Sequence, residues 1–237
     1  MGAVTTQEAH RYAREQGVAR GLYAVVRFLL TPVFRLYFRL HISGAEHIPA
    51  EGAAIVTPNH KSFWDSFFTA VATPRHMRFM AKRELFDPWY GGLLLRLGAF
   101  PVDRGSGDAE ALETARVILE QGGLLELFPE GTRIRDSEEL GAPKRGAARL
   151  ALETGTPIVP AAITGTDKIF WGPIPVPRRV QVAFAEPVAA IALEATPEGA
   201  AALTETVWPE VESQFRRLRS RPGLIAAGLA AAGLSGL

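Results

Sequence analysis

Cysteine is absent from the 237 residues, which excludes disulfide scaffolding, zinc–thiolate and iron–sulfur sites, and any thioester formed on a cysteine nucleophile. Charge of one sign is not in excess either. With 26 Lys+Arg against 25 Asp+Glu, composition points to no polyanionic partner such as nucleic acid. A clean membrane-spanning run of about 20 apolar residues is lacking: the stretch from Gly21 to Phe34 is broken by Arg27 and Pro32, and the closing PGLIAAGLAAAGLSGL is short and glycine-rich. A secretory signal is not expected, because the start is polar-biased and Arg27 interrupts the first apolar run. An intracellular location is the expectation. The five histidines, His10, His41, His47, His60 and His76, show no ligand spacing, so no metal is expected. No P-loop, no G-x-S-x-G elbow and no internal repeat is visible.

What is present is a 47% apolar, 22% charged chain, enough to bury a full core in one sizeable domain. Three sections are expected: an amphipathic helical arm over 1–45, an α/β domain over 46–221 and an apolar tail over 222–237. In the arm Arg11, Arg14, Arg20, Arg27, Arg35 and Arg39 outnumber the acids and punctuate Leu, Val, Phe and Tyr. Such a helix can lie in a bilayer interface with its arginines reaching phosphates; a helical hairpin packed on its own domain, kinked at Pro32, is the other reading. Farther on, β-like runs at 53–57, 78–81, 99–102, 124–128, 158–163 and 180–184 alternate with helix-like stretches. That alternation predicts a mixed, largely parallel sheet flanked by helices. The clearest helix is capped by Ser106 or Asp108, carries Leu112, Ala115, Ile118 and Leu119 on one face and stops at Gly122. Others are expected over 144–153 and 197–221.

The chemistry-bearing residues follow strands. AAIVTPNHKSFWDSFF sets Asn59 and His60 at a strand-to-helix junction with Asp65 in the first helical turn, within reach of the imidazole. A carboxylate there can fix the tautomer of a general base, although Ser62 and Asp65 also form an S-x-x-D pattern that could simply cap the helix. Lys82 and Arg104 each follow a β-like run, and Arg104 precedes a helix start where free N–H groups favour an anion. LFPEGTRIRD exits the next strand into Glu130, Gly131, Thr132 and Arg133, glycine permitting close approach and Arg133 offering a phosphate fork. GTPIVPAAITG, with Val159 and Pro160, reads as a buried strand whose ends could line an apolar channel.

Asn59, His60 and Asp65, then Gly98, Pro101, Val102 and Arg104, then the stretch from Phe128 to Arg133, then Ile158, Val159 and Pro160 resemble, in this order, the four blocks of the lysophosphatidic acid acyltransferase (1-acyl-sn-glycerol-3-phosphate acyltransferase) family. The resemblance runs from Ile48 to Pro187 and includes the basic link Lys144, Arg145 and Gly146. It implies an enzyme that moves a fatty acyl group from acyl-CoA or acyl carrier protein to the hydroxyl of 1-acyl-sn-glycerol 3-phosphate, giving phosphatidic acid. It further implies His60 and Asp65 as the base pair, and Lys82, Arg104, Glu130, Gly131, Thr132 and Arg133 around the acceptor phosphate. Val159 and Pro160 would border the acyl chain. No cofactor beyond the thioester co-substrate is implied, and the expected setting is the cytoplasmic face of a phospholipid membrane. The runner-up keeps the same chemistry with glycerol 3-phosphate, another lysophospholipid or a glycolipid as acceptor. A thioesterase using Ser62 or water is a less favoured alternative, and a non-enzymatic lipid carrier the least favoured.

Overall fold

Alternation of short β-branched runs with capped amphipathic stretches builds a layered α/β architecture, seen in a computed structural model that describes residues 4–87, 89–103, 108–136, 138–190 and 193–220. In chain order the elements are α1 (Thr6–Glu15), α2 (Arg20–Pro32) running into a π-helical turn at Val33–Tyr37, β1 (His41–Ser43), β2 (Ala54–Thr57), α3 (Asp65–Ala72) and β3 (Met77–Lys82). Then come α4 (Gly91–Arg96), β4 (Ala99–Val102), α5 (Ala109–Glu120), β5 (Leu124–Glu126), α6 (Gly146–Thr154) and β6 (Ile158–Thr164). A small hairpin of β7 (Phe170–Trp171) and β8 (Ile174–Pro175) precedes β9 (Gln181–Phe184) and α7 (Pro197–Ser220).

Seven strands form one sheet in the order β1-β9-β6-β2-β5-β3-β4. All pairs are parallel except β6 with β9, which is the mixed, largely parallel sheet the sequence predicts. β2, β5 and β6 are buried along their whole length, as strands covered on both faces must be. One core, with Ile118, Leu119 and Leu150, lies under α1, α5, α6 and α7. The other, with Phe34, Phe68, Val159 and Ile163, lies under α3 and the π-helical turn. Parallel pairing aligns the C-terminal ends of β2, β3, β4, β5 and β6 along one edge, where the loops of an open α/β sheet gather ligands.

Of the local details some match expectation and others depart from it. Asp108 caps α5 by accepting from the Ala111 N–H at 3.0 Å, while Ser106, the other candidate cap, lies outside the described residues. Leu112 is half exposed, and Thr114 takes its place in the buried face, because Thr114 receives the buried His10 ring at 2.9 Å. α1 packs on α5 and β4 through Ala9 and Ala13, both fully buried. The α2 segment leaves α1 at 96°, and among the described residues no single helix is long and apolar enough to cross a membrane.

Candidate active site

β2 ends at Thr57, and the next turn is held by side-chain bonds rather than by a sheet ladder. Asn59, fully buried, grips the backbone of β6 twice, donating to the Ile163 carbonyl at 3.0 Å and accepting from its N–H at 2.8 Å. His60 follows, and its Nδ1 lies 2.9 Å from Asp65 Oδ2. The same oxygen accepts the N–H groups of Lys61 at 2.6 Å and Ser62 at 2.7 Å. Asp65 therefore serves both readings of the S-x-x-D pattern, folding back over the start of α3 while it holds the imidazole. The reciprocal bond of a capping box is missing, because Ser62 Oγ accepts from Trp64 N instead, at 3.3 Å. Consequently α3 begins at Asp65, three residues after Ser62.

The imidazole is fixed on a second side by Phe128, stacked 3.9 Å away at 24°. With Nδ1 committed to Asp65, Nε2 is the ring nitrogen left for the cavity of about 110 Å³ that His60 lines. Lys82 and Arg133 line that cavity together with apolar Phe63, Phe67, Met80 and Leu94. Ser66, Phe67 and Phe79 also border a smaller apolar void of about 30 Å³ that reaches Leu30 and Val26 of α2. The pairing of an immobilised imidazole with cations and an apolar groove suits proton transfer on an amphiphile bearing an anionic head.

The residues expected around the acceptor divide into distinct groups. Lys82 and Arg133 share the cavity with His60, although Lys82 also pairs with Glu84 at 2.8 Å. Thr132 is exposed beside them. Glu130 is buried, and both its oxygens are engaged, Oε2 with the His60 N–H at 2.6 Å and Oε1 with the Gly141 N–H at 2.7 Å. It braces the backbone of His60 and does not line the cavity. Burial holds its carboxyl above the ordinary range, against the pull of those two N–H donors. Gly131 adopts φ +67°, so the turn favours glycine for its conformation; a Cβ there would meet only the flexible Lys144 side chain, 2.9 Å from Nζ.

Val159 and Pro160 do not border the cavity beside His60. Both are buried inside the sheet, because β6 lies between β2 and β9. The apolar lining comes instead from α3, β3 and α4. Arg104 lies outside the described residues. The helix start it precedes already carries an anion, since the Asp108 carboxylate accepts from both Asp103 N and Ala111 N. Arg27, expected among the arginines reaching lipid phosphates, turns into the protein and donates to the carbonyls of Val71 and Thr73 at the end of α3.

A sequence model of the Acyltransferase family matches residues 39–164, a span that contains His60, Asp65, Lys82, Glu130 and Arg133. The chain belongs to the acyltransferase family. The acyltransferase is 31% identical over 146 residues to the 1-acyl-sn-glycerol-3-phosphate acyltransferase of Bacillus subtilis, covering 61% of this chain and 72% of that one. It is also 31% identical over 137 residues to a chloroplast 1-acyl-sn-glycerol-3-phosphate acyltransferase of Arabidopsis thaliana, covering 56% of this chain and 38% of that longer one. Its fold matches the crystal structure of the 1-acyl-sn-glycerophosphate acyltransferase of Thermotoga maritima with a TM-score of 0.70, at 24% identity, over 90% of this chain and 84% of that one.

One group in this acyltransferase was not singled out in the sequence. Glu126, the last residue of β5, is 1% exposed. Its oxygens face the hydroxyls of Ser66 and Thr69 without an ordinary hydrogen bond among the described residues. A charge inside LLELF was the available signal. Burial pushes this carboxyl up to about 8, and the neighbouring Asp65 charge adds to the shift. The folded protein thus keeps a proton that the unfolded chain releases near its ordinary value of 4.5. Stability attributable to Glu126 is full below pH 4.5 and is lost as pH rises toward 8. Glu126→Gln removes that loss. Its thermal stability should equal that of the parent near pH 4.5 and exceed it, by on the order of a few kcal/mol, near pH 8. A difference independent of pH in thermal unfolding would contradict the assignment.

Proposed function

We propose that this acyltransferase moves a fatty acyl group from a thioester, acyl-CoA or acyl carrier protein, to the free hydroxyl of 1-acyl-sn-glycerol 3-phosphate. The observation that carries the reading is the imidazole of His60, pinned by Asp65 through Nδ1 and stacked on Phe128, in a cavity lined by Lys82, Arg133 and apolar side chains. In the reaction, His60 Nε2 takes the proton of the acceptor hydroxyl as its oxygen attacks the thioester carbonyl carbon. Asp65 stabilises the imidazolium that forms. As the C–S bond breaks, the imidazolium returns the proton to the leaving thiolate, yielding an ester and a free thiol. Arg133 and Lys82 would hold the acceptor phosphate, and the groove toward Phe67 would take a fatty chain. The absence of cysteine and of a nucleophile elbow supports direct transfer without an acyl-enzyme.

A substrate with a fatty tail resides in a bilayer, and one face of the arm fits that setting. Val25, Phe28, Leu29, Val33 and Leu36 recur at helical spacing and are exposed, Phe28 and Leu36 to 78% each. The stripe continues onto the β7–β8 hairpin, where Trp171 and Ile174 are also exposed and Tyr37 Oη donates to the Pro175 carbonyl at 2.7 Å. Contiguous apolar surface of this kind marks an interaction site. Its proposed partner is the phospholipid surface on the cytoplasmic side.

His60→Ala should reduce acceptor-dependent thiol release from acyl-CoA by about 10²- to 10⁴-fold; full activity would remove His60 from the chemistry, and release without acceptor would indicate a thioesterase. Arg133→Ala should raise the KM for lysophosphatidic acid more than it lowers kcat, whereas an unchanged KM would end the phosphate assignment. The pair Phe28→Asp and Leu36→Asp should lower co-sedimentation with phospholipid vesicles at least tenfold. Undiminished sedimentation would rule out this face as the membrane contact.

A further inference from the structure

The register of the sheet gathers a second set of cations along the edge that carries His60. β6 runs parallel to β2, with Pro160 opposite Thr57. β9 then turns back antiparallel, with Gln181 opposite Thr164, and β1 follows β9 with His41 opposite Gln181. The residues just before β1 and β9 and just after β6 are therefore brought to the edge from which Asn59 and His60 leave β2. There Arg39, Lys61, Lys168, Arg178, Arg179 and Arg219 line an open cavity of about 430 Å³, with Asp167 as its one acid among the described residues. Lys61 forms the wall next to His60, its ammonium donating to the Asp136 carbonyl at 2.6 Å and lying 5.1 Å from the centre of the Phe215 ring.

Clustering and backbone constraint mark this cavity. Arg116, Arg149 and Arg216 on the helices are paired with acids, whereas Arg39, Arg178 and Arg179 have no ion pair among the described residues. Other exposed arginines, Arg20, Arg35 and Arg96 among them, also lack an ion pair among the described residues; what marks Arg39, Arg178 and Arg179 is that all three line one cavity. The backbone is also constrained to hold them together. Arg39 sits at φ +45°, the one non-glycine residue with positive φ among those described, a conformation that costs roughly 1 kcal/mol or more. It is kept there by bonds on either side, Leu40 N to Phe34 O at 2.9 Å and Val180 N to Phe38 O at 3.0 Å. Gly165, at φ +86°, lies so close to the Arg179 carbonyl that a Cβ would come within 2.1 Å of it. The end of β6 is thereby pressed onto the arginine loop.

The proposed reaction has two substrates, and the cations on the β3 side of His60 serve only the acceptor phosphate. We infer that the cavity bounded by Arg39, Arg178 and Arg179 binds the phosphates of the 3′-phosphoadenosine diphosphate head of a CoA thioester, so that donor and acceptor reach His60 from opposite ends of one sheet edge. The assignment rests on the acyl-transfer reading and adds to it the identity of the donor. Clustered guanidinium groups match phosphate oxygens in charge and in fork geometry. The cavity has the size of a small-molecule site.

The test uses the full chain in detergent with adenosine 3′,5′-bisphosphate as a calorimetric probe, and acyl-CoA and S-acyl pantetheine as donors. Arg178→Ala with Arg179→Ala should weaken binding of the bisphosphate about tenfold or more, and raise the KM for acyl-CoA by a similar factor. The preference for acyl-CoA over S-acyl pantetheine, measured as a ratio of kcat/KM values, should shrink by the same factor. Arg39→Gly keeps the left-handed backbone and removes the guanidinium, and should give the same direction of change with no loss of thermal stability. Binding unaffected by these substitutions would overturn the inference, as would lost sedimentation with anionic vesicles alongside an unchanged acyl-CoA KM. Bisphosphate binding at these arginines by a protein that forms no phosphatidic acid would leave this site standing and remove the acceptor assignment. Phosphatidic acid formation from acyl-CoA with an unaltered donor KM in the variants would do the reverse.

Discussion

One carboxylate oxygen organises the site. Asp65 Oδ2 accepts from His60 Nδ1 and from the backbone N–H groups of Lys61 and Ser62. A single acceptor with these donors closes the turn after β2, neutralises N–H groups left open before α3 and selects the ring nitrogen that faces the cavity. In a site this buried, charge-assisted bonds are stronger than neutral ones. Breaking one would also leave a charge without its partners. Around this point the other contacts act as braces: Asn59 on β6, Glu130 on the His60 N–H, and Phe128 on the imidazole face.

The sheet turns that local arrangement into a binding surface. Parallel pairing of β2 with both β5 and β6 places the His60 turn near the middle of the edge. Lys82 and Arg133 lie toward β3, and the cluster with Arg178 and Arg179 lies toward β9 and β1. Antiparallel β9 is essential to the second group, since reversing the chain there brings the start of β9 to the edge at which β6 ends. The exposed apolar stripe of α2 and the β7–β8 hairpin adds the face proposed to meet lipid.

Much of the fold and the contact between His60 and Asp65 were legible in the sequence, because they depend on patterns within about a dozen residues. The alternating runs marked six of the seven main strands, and the five-residue step from His60 to Asp65 was long enough to cross one turn. β1, a three-residue strand, was missed because so short a segment has almost no periodic signal and is defined by its pairing with β9. Val159 and Pro160 carry a motif but lie within the sheet, since strand order decides which ends of an apolar run are covered. The face of α5 shifted from Leu112 to Thr114 because a distant histidine, His10, supplied a hydrogen-bond partner for a buried hydroxyl. For Glu126 a charge within LLELF was the one sequence signal, and the backbone of Arg39 left none. Burial of the first and positive φ of the second arise from tertiary packing that no local pattern encodes.

The account stands on the imidazole of His60 donating through Nδ1 to Asp65 and presenting an unprotonated Nε2 to the cavity. The ¹⁵N NMR spectrum of neutral His60 in the full chain, assigned by comparison with His60→Gln, reads this directly, because the protonated and unprotonated ring nitrogens have well-separated shifts. The account predicts a proton on Nδ1 and a bare Nε2, with this preference weakened in Asp65→Asn. A spectrum showing the proton on Nε2 in the parent protein would contradict it.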